Sequence, residues 1–311
     1  MVIGRIPRNS GIGGVTIHVS RLLQLYNKFN IKYEFLDLKS KFLIFNLMRK
    51  ILKSKKIYLH ASSPYLRFAV SLFCLVFSKK LILMIHGNLG RFNSFKNSFD
   101  FLAIRICFKP ILINKKSHQK ALYLNQKAFL ASAYIPPINS SPLNKKIVNY
   151  IEASRQNSKL IVVTIASDVR FDKFGNEIYG ISELLRYFED VDDSILIIAD
   201  PTANYKKHIS KNYPNLLCNG YFVNENINFY ELLKISDVFI RNTSTDGDSL
   251  SLREAINLNI NCYATDVVDR PVGTIIYSSL NDLNLERKSL YKINKNELES
   301  CYINQKKILQ L

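Results

Sequence analysis

Short apolar runs alternate with amphipathic helical stretches from one end of this 311-residue chain to the other. In the first half the runs are Ile31–Leu36, Ile57–His60, Leu81–His86 and Pro110–Asn114. The helical patterns beside them are Thr16–Phe29, Lys41–Leu52, Tyr65–Phe77, Asp100–Phe108 and Ser117–Leu124. In the second half the runs are Leu160–Ala166, Ser194–Ala199, Val238–Arg241 and Asn261–Ala264. Gly180–Phe188, Asn204–Lys211, Asn228–Ile235 and Ser249–Leu258 carry the helical period. Strands that return only after a helix pair in parallel, so this alternation predicts an α/β chain with helices on both faces of parallel sheets.

The alternation breaks once, at Ala133-Tyr-Ile-Pro-Pro-Ile-Asn-Ser-Ser-Pro142. Residues preceding proline avoid the helical region, so this segment reads as an extended connector. Two domains follow, residues 1–145 and 146–311, with a last helix over Asn296–Leu311 packing back toward the first domain. Open parallel sheets bind ligands beyond the carboxyl ends of their strands. Two such sheets would face a central cleft.

Charge divides along the same line. Residues 1–150 hold 25 lysines and arginines against three acids, Glu34, Asp37 and Asp100, whereas residues 151–311 hold 18 against 22. A basic first domain suits an anionic lipid surface, a phosphorylated substrate or nucleic acid. Lys39 to Lys56 mixes seven cations with bulky apolar residues in one helical stretch, as a helix lying at a membrane surface does; a core-packed helix with a basic outer face fits equally well. Phe92, Phe95, Phe99 and Phe101 stand among basic residues just beyond. No nucleic-acid module is recognisable, and the acidic second half interrupts any long binding track.

Five dispersed cysteines fit a reducing cytosol better than a disulfide framework or a zinc site. The first residues lack the apolar core of a secretory signal. The longest apolar run, Phe68–Phe77, is about half a membrane span. A cytoplasmic protein, peripheral at the inner face of the cell membrane, is expected.

The most chemically specific segment is Asp246-Gly-Asp-Ser-Leu-Ser-Leu-Arg-Glu-Ala255, directly after the strand ending at Arg241. A strand, a tight polar loop and a helix start can hold a phosphate on backbone N–H groups with carboxylates beside it for hydroxyls. Ser251 and Glu254 also have capping-box spacing, so a helix start alone accounts for Glu254. It does not account for Asp246, Gly247 and Asp248 gathered upstream. Asn9-Ser-Gly-Ile-Gly-Gly-Val-Thr-Ile-His18 likewise follows a short strand and opens a helix, with glycines that admit a ligand to backbone N–H groups. His86 ends the clearest strand of the first half. His60 is a weaker candidate of the same kind, and His18 and His118 read as helix-face residues.

The stretch Phe239 to Ala255 resembles the nucleotide-sugar motif Glu-x7-Glu of family-4 glycosyltransferases, retaining enzymes of the GT-B fold with two Rossmann-like domains. Asp246 stands at the first glutamate and Glu254 at the second, and Tyr263-Ala-Thr-Asp266 resembles the strand and loop that follow. The resemblance implies that Asp246 holds donor-sugar hydroxyls and Glu254 the ribose. Gly247, Asp248, Ser249 and Leu250 would bring N–H groups to the diphosphate. Gly13 and Gly14 match the glycine loop near donor and acceptor, and His86 a histidine near the donor sugar. The arginine and lysine that neutralise the diphosphate in this family are missing in register, since Tyr179-Gly180 stands where Lys-Gly is expected. Arg170 and Lys173, or Arg241 and Arg270, are the candidates to replace them.

The resemblance thus implies a retaining transferase using a nucleotide-diphosphate sugar and a growing, lipid-linked glycan such as a surface polysaccharide or O-antigen. It implies an anionic membrane surface as partner and no nucleic acid. Cations and N–H dipoles would serve where other enzymes use a metal, so neither cofactor nor metal is expected, although Asp246-Gly-Asp248 superficially matches a metal-binding Asp-x-Asp. Two other readings stay open: a GT-B protein that binds a nucleotide sugar or a partner enzyme without turnover, and a basic nucleic-acid-binding protein.

Overall fold

The computed structural model describes residues 1–7, 13–39, 43–138, 141–172 and 174–285. The expectations at residues 9–12, at Lys173 and for the helix over Asn296–Leu311 lie outside them. The described residues form two compact units, one up to Ile138 and one beyond it.

The first unit runs β1 (Val2–Gly4), α1 (Gly14–Lys28), β2 (Phe35–Asp37), α2 (Leu43–Lys53), β3 (Lys56–His60), α3 (Pro64–Val76), β4 (Lys80–Ile85), α4 (Ser94–Ile106), β5 (Lys109–Leu112), α5 (Lys115–Leu124) and β6 (Phe129–Leu130). Its six strands lie in the order β2-β1-β3-β4-β5-β6, all pairs parallel. Ile57, Leu59, Leu81, Leu83 and Leu112 of the central strands are buried in one apolar cluster. Helix α1 turns Val19, Leu22, Leu25 and Tyr26 inward at helical spacing.

The second unit runs α6 (Lys145–Gln156), β7 (Leu160–Ile165), α7 (Ile181–Tyr187), β8 (Ser194–Ala199), α8 (Asn204–Asn212), β9 (Tyr221–Val223), α9 (Phe229–Lys234), β10 (Val238–Arg241), α10 (Leu250–Asn257), β11 (Asn261–Thr265) and β12 (Thr274–Tyr277). Its parallel strands lie in the order β12-β11-β10-β7-β8-β9. Counted from β7, this is the Rossmann order, and the direction of winding reverses between β7 and β10. Apolar clusters cover both faces, with Val163, Ile197 and Phe239 on one and Val162, Ile198 and Ile240 on the other.

Several expectations need correction. Helix α4 begins at Ser94, six residues before the expected Asp100, because the Asn93 side chain accepts from Lys96 N at 3.0 Å and caps it there. Asp100 is an interior, buried residue paired with Arg67 at 2.6 Å. Helix α6 follows the connector, in a stretch to which no element was assigned; Ile147 and Ile151 are its buried residues, and Asn144 caps it. The edge strands β6, β9 and β12 were not assigned from the sequence; β6 and β9 are two and three residues long. Helix α10 is capped by Ser249, whose hydroxyl accepts from Leu252 N, so the Ser251–Glu254 capping box does not form and Glu254 sits buried within the helix.

Candidate functional site

The loops after β7, β10 and β11 meet at the carboxyl edge of the second sheet, beside the reversal between β7 and β10. Arg241 is the last residue of β10 and pairs in register with Ala264 of β11. Its Nε and Nη2 donate to the two oxygens of Asp246, each at 3.1 Å. Arg270, from the loop after β11, donates through Nη1 to the same carboxylate at 2.7 Å. The backbone N–H of Gly247 adds a fourth bond, at 2.9 Å. A carboxylate offers about four lone-pair positions, so Asp246 is saturated by protein donors.

This saturation fixes its charge. Burial on its own would raise the Asp246 carboxyl; Arg241 and then Arg270 overcome that and hold it at about 2. Two guanidiniums against one carboxylate leave the cluster one positive charge in excess.

The two arginines differ in what remains to them. Arg270, 3% exposed, also donates through Nε to the Thr265 carbonyl (2.8 Å) and through Nη2 to the hydroxyls of Thr243 and Thr265 (both 3.2 Å). Four of its five N–H groups are engaged within the protein. Arg241, 13% exposed, spends Nε and Nη2 on Asp246, which leaves its Nη1 hydrogens for a ligand. Its guanidinium carbon lies over the Tyr179 ring, 5.3 Å from the centroid. Tyr179 is in turn fixed by a 2.6 Å bond between its hydroxyl and Ser167. The position where a lysine was expected therefore holds the aromatic floor under a cation supplied from β10.

Asn242 braces this edge. Its amide nitrogen donates to the Gly180 carbonyl (3.2 Å) and to Glu183 (2.8 Å), and its oxygen accepts from the Tyr277 hydroxyl (2.8 Å). Gly180 has φ +52°, and a Cβ there would stand 2.4 Å from the Asn242 amide nitrogen. Asp248 is held by Arg253 Nε at 2.6 Å. Ser249 and Leu250 begin α10, with Leu250 buried. Arg170 is exposed and 4.0 Å from Asp168, and the structure joins it to neither Asp246 nor Arg241.

In the first unit, Gly13 caps α1 with extended backbone (φ −157°), and nothing lies within 4 Å of where a Cβ would be. Gly14 opens the helix. His86 follows β4, with Nε2 3.0 Å from Nδ1 of His60 at the end of β3. His18 is on the buried side of α1, its ring 4.9 Å from that of His86. His118 is bonded to the Ala128 carbonyl at 3.2 Å.

Four features of the described residues were not legible: the stack of Arg241 on Tyr179, the Asn242 brace, the Arg253 partner of Asp248, and the place of His18 beside His60 and His86. Each joins residues 5 to 68 positions apart through side-chain geometry. The one available signal was Tyr179-Gly180 itself, where an aromatic stands in place of a cation.

No protein-family model matches the chain, and no curated protein matches it in sequence. Solved structures do match. HepE of Anabaena, in complex with UDP and glucose, superposes with a TM-score of 0.67 at 12% identity, covering 99% of this chain and 91% of HepE. WaaG, a glycosyltransferase involved in lipopolysaccharide biosynthesis, gives 0.59 at 13% identity, covering 99% and 94%. A glycosyltransferase from Rickettsia africae gives 0.60 at 14% identity, covering 97% and 88%. With two parallel six-stranded units, the second in Rossmann order, and these matches along nearly its whole length, the chain has the GT-B fold of glycosyltransferases.

Proposed function

We propose that this chain is a glycosyltransferase that takes a sugar from a nucleotide-diphosphate donor, binding the donor in the second unit and the acceptor in the first. The observation that carries the reading is the Arg241–Asp246–Arg270 cluster beside the point where the sheet order reverses, where ligands of such sheets bind. Its excess positive charge, and the Nη1 edge of Arg241, suit a diphosphate. As the bond to the sugar loosens, negative charge grows on the leaving group, and a fixed guanidinium with the N–H groups opening α10 stabilises it without reorganisation.

Asp246 thereby takes a different part from the one its resemblance implies. With four protein donors on it, it orients Arg241 and Arg270 rather than gripping sugar hydroxyls. Glu254, buried in α10, keeps the proposed place near the ribose. Asp246 and Asp248 are both committed to arginines, which supports transfer without a metal at the diphosphate. Transfer abolished by EDTA and restored only by Mn²⁺ would contradict that part.

The Asp-x7-Glu spacing supports retention of configuration. HepE bound to UDP and glucose supports a uridine-type donor, and the role of WaaG in lipopolysaccharide supports a cell-surface glycan. A lipid-linked acceptor at the membrane is supported by the charge of the first unit and by α2, whose Phe45 is 71% exposed with Met48 and Leu52 exposed at helical spacing. Among the described residues no helix is long and apolar enough to cross a membrane.

The test is a panel of nucleotide sugars offered to the purified chain, read for binding and for slow hydrolysis. At least one donor should bind and be hydrolysed; failure of every donor to bind sinks the reading. The saturation of Asp246 favours a second reading, a donor-binding protein without turnover, which predicts binding with neither hydrolysis nor transfer to any lipid-linked glycan acceptor.

A further inference from the structure

The winding of the first sheet reverses between β1 and β3, and three histidines converge there from three elements. His18 comes from α1, His60 from the end of β3 and His86 from the residue after β4. Each can offer one ring nitrogen such that all three nitrogens lie within 4.8 Å of one another.

Their hydrogen bonds restrict the protons. His18 Nδ1 is 2.6 Å from the Ala133 carbonyl, so it carries the proton and donates, which makes Nε2 the basic nitrogen. A ring N–H held by a backbone carbonyl is the arrangement that orients metal-binding histidines. His60 Nδ1 and His86 Nε2 are 3.0 Å apart and share one proton between two bases. Whichever ring holds it, His60 Nε2 is buried without a hydrogen-bond partner, in a residue 3% exposed.

We propose that His18, His60 and His86 bind one borderline transition-metal ion, Zn²⁺ or a near relative, in the first unit. Tetrahedral zinc with bonds of about 2.0–2.1 Å holds its nitrogens roughly 3.3 Å apart. His60 and His86 already stand close to that separation, and His18 completes the set by turning inward. The ion takes the place of the shared proton, which moves to the other nitrogen of its own ring so that both imidazoles stay neutral. All-nitrogen ligation selects against Mg²⁺ and Ca²⁺, which take oxygen.

These histidines belong to a different unit from Arg241 and Asp246, so the outcome is separable from the proposed transfer. The test uses the full chain, stripped with chelator and titrated with Co²⁺ and Zn²⁺. One ion per chain is expected, with the visible bands of tetrahedral cobalt. X-ray absorption of the zinc form should show three nitrogen ligands at about 2.0–2.1 Å and no sulfur, which distinguishes this site from the exposed Cys218. His60→Ala and His86→Ala should each weaken binding by at least about 100-fold, the upper end of what losing an outer-shell partner costs. No binding to the folded wild-type chain, sulfur or all-oxygen ligation, or unchanged affinity in both variants overturns the proposal. The wild-type titration and spectrum decide it even where a variant fails to fold.

Discussion

The Arg241 guanidinium lies over the Tyr179 ring, 5.3 Å from its centre, while its Nε and Nη2 hold both oxygens of Asp246. Ring and carboxylate together fix a cation at the end of β10. A partly desolvated cation–π contact contributes about 0.5–2 kcal/mol. Tyr179→Leu should therefore weaken nucleoside-diphosphate affinity by roughly 3- to 30-fold. Tyr179→Phe keeps the ring, loses only the bond to Ser167, and should stay within about 3-fold. Calorimetric titration of both variants checks this; equal losses would show that the hydroxyl, not the ring, matters.

Asp246 links stability to acid. Its carboxyl is held at about 2 against an ordinary value near 4, burial being outweighed by Arg241 and Arg270. A depressed folded pKa gives stability that is complete above the unfolded value and lost as pH falls through the folded one. The contribution, on the order of 2–3 kcal/mol, should disappear between about pH 4 and pH 2. Urea unfolding of wild type and Asp246→Asn should show a gap that is constant from pH 7 to 5 and closes below pH 4. A gap unchanged at pH 2 would mean the carboxylate does not carry the interaction.

Gly180 and Gly13 make a matched contrast. Gly180→Ala places a Cβ in left-handed backbone (φ +52°) and 2.4 Å from the Asn242 amide nitrogen, so the brace must move. A loss above about 2 kcal/mol is expected, from backbone strain and broken buried hydrogen bonds. Gly13→Ala meets nothing within 4 Å and should cost no more than about 1 kcal/mol, the loss of a favoured N-cap residue. Chemical denaturation of the two variants reads both values, and a reversed order would contradict the geometry.

Phe45, Met48 and Leu52 share the exposed side of α2, with Arg49 and Lys53 beside them. Co-sedimentation with phosphatidylserine vesicles should be released by salt and reduced several-fold in Phe45→Ser/Met48→Ser. Equal binding to neutral vesicles would remove the electrostatic part.

The parallel α/β architecture was legible because β-branched and leucine-rich runs, such as Leu160–Ile165 and Leu81–Ile85, are buried on both faces and declare themselves without any partner. Helix α6 was not, since two isoleucines carry its whole apolar face. The loop from Asp246 to Glu254 was legible as a ligand site from its local order. The part played by Asp246 was not: Arg270 reaches it from 24 residues away, through a turn whose direction no local pattern encodes. The same holds for His18, which shares a face with Leu22 and Leu25 and shows its neighbours only once α1 packs beside β3 and β4.

The central claim is that the second unit takes a nucleotide diphosphate through Arg241. It is tested most directly by titrating wild type and Arg241→Ala with UDP and with uridine. The wild-type chain should bind UDP well and uridine weakly. Arg241→Ala should lose UDP affinity by about 10- to 100-fold, as for a charge-assisted contact worth 1.5–3 kcal/mol, and leave uridine affinity unchanged. Equal affinities for UDP in the two proteins, or a parallel loss for uridine, would contradict it.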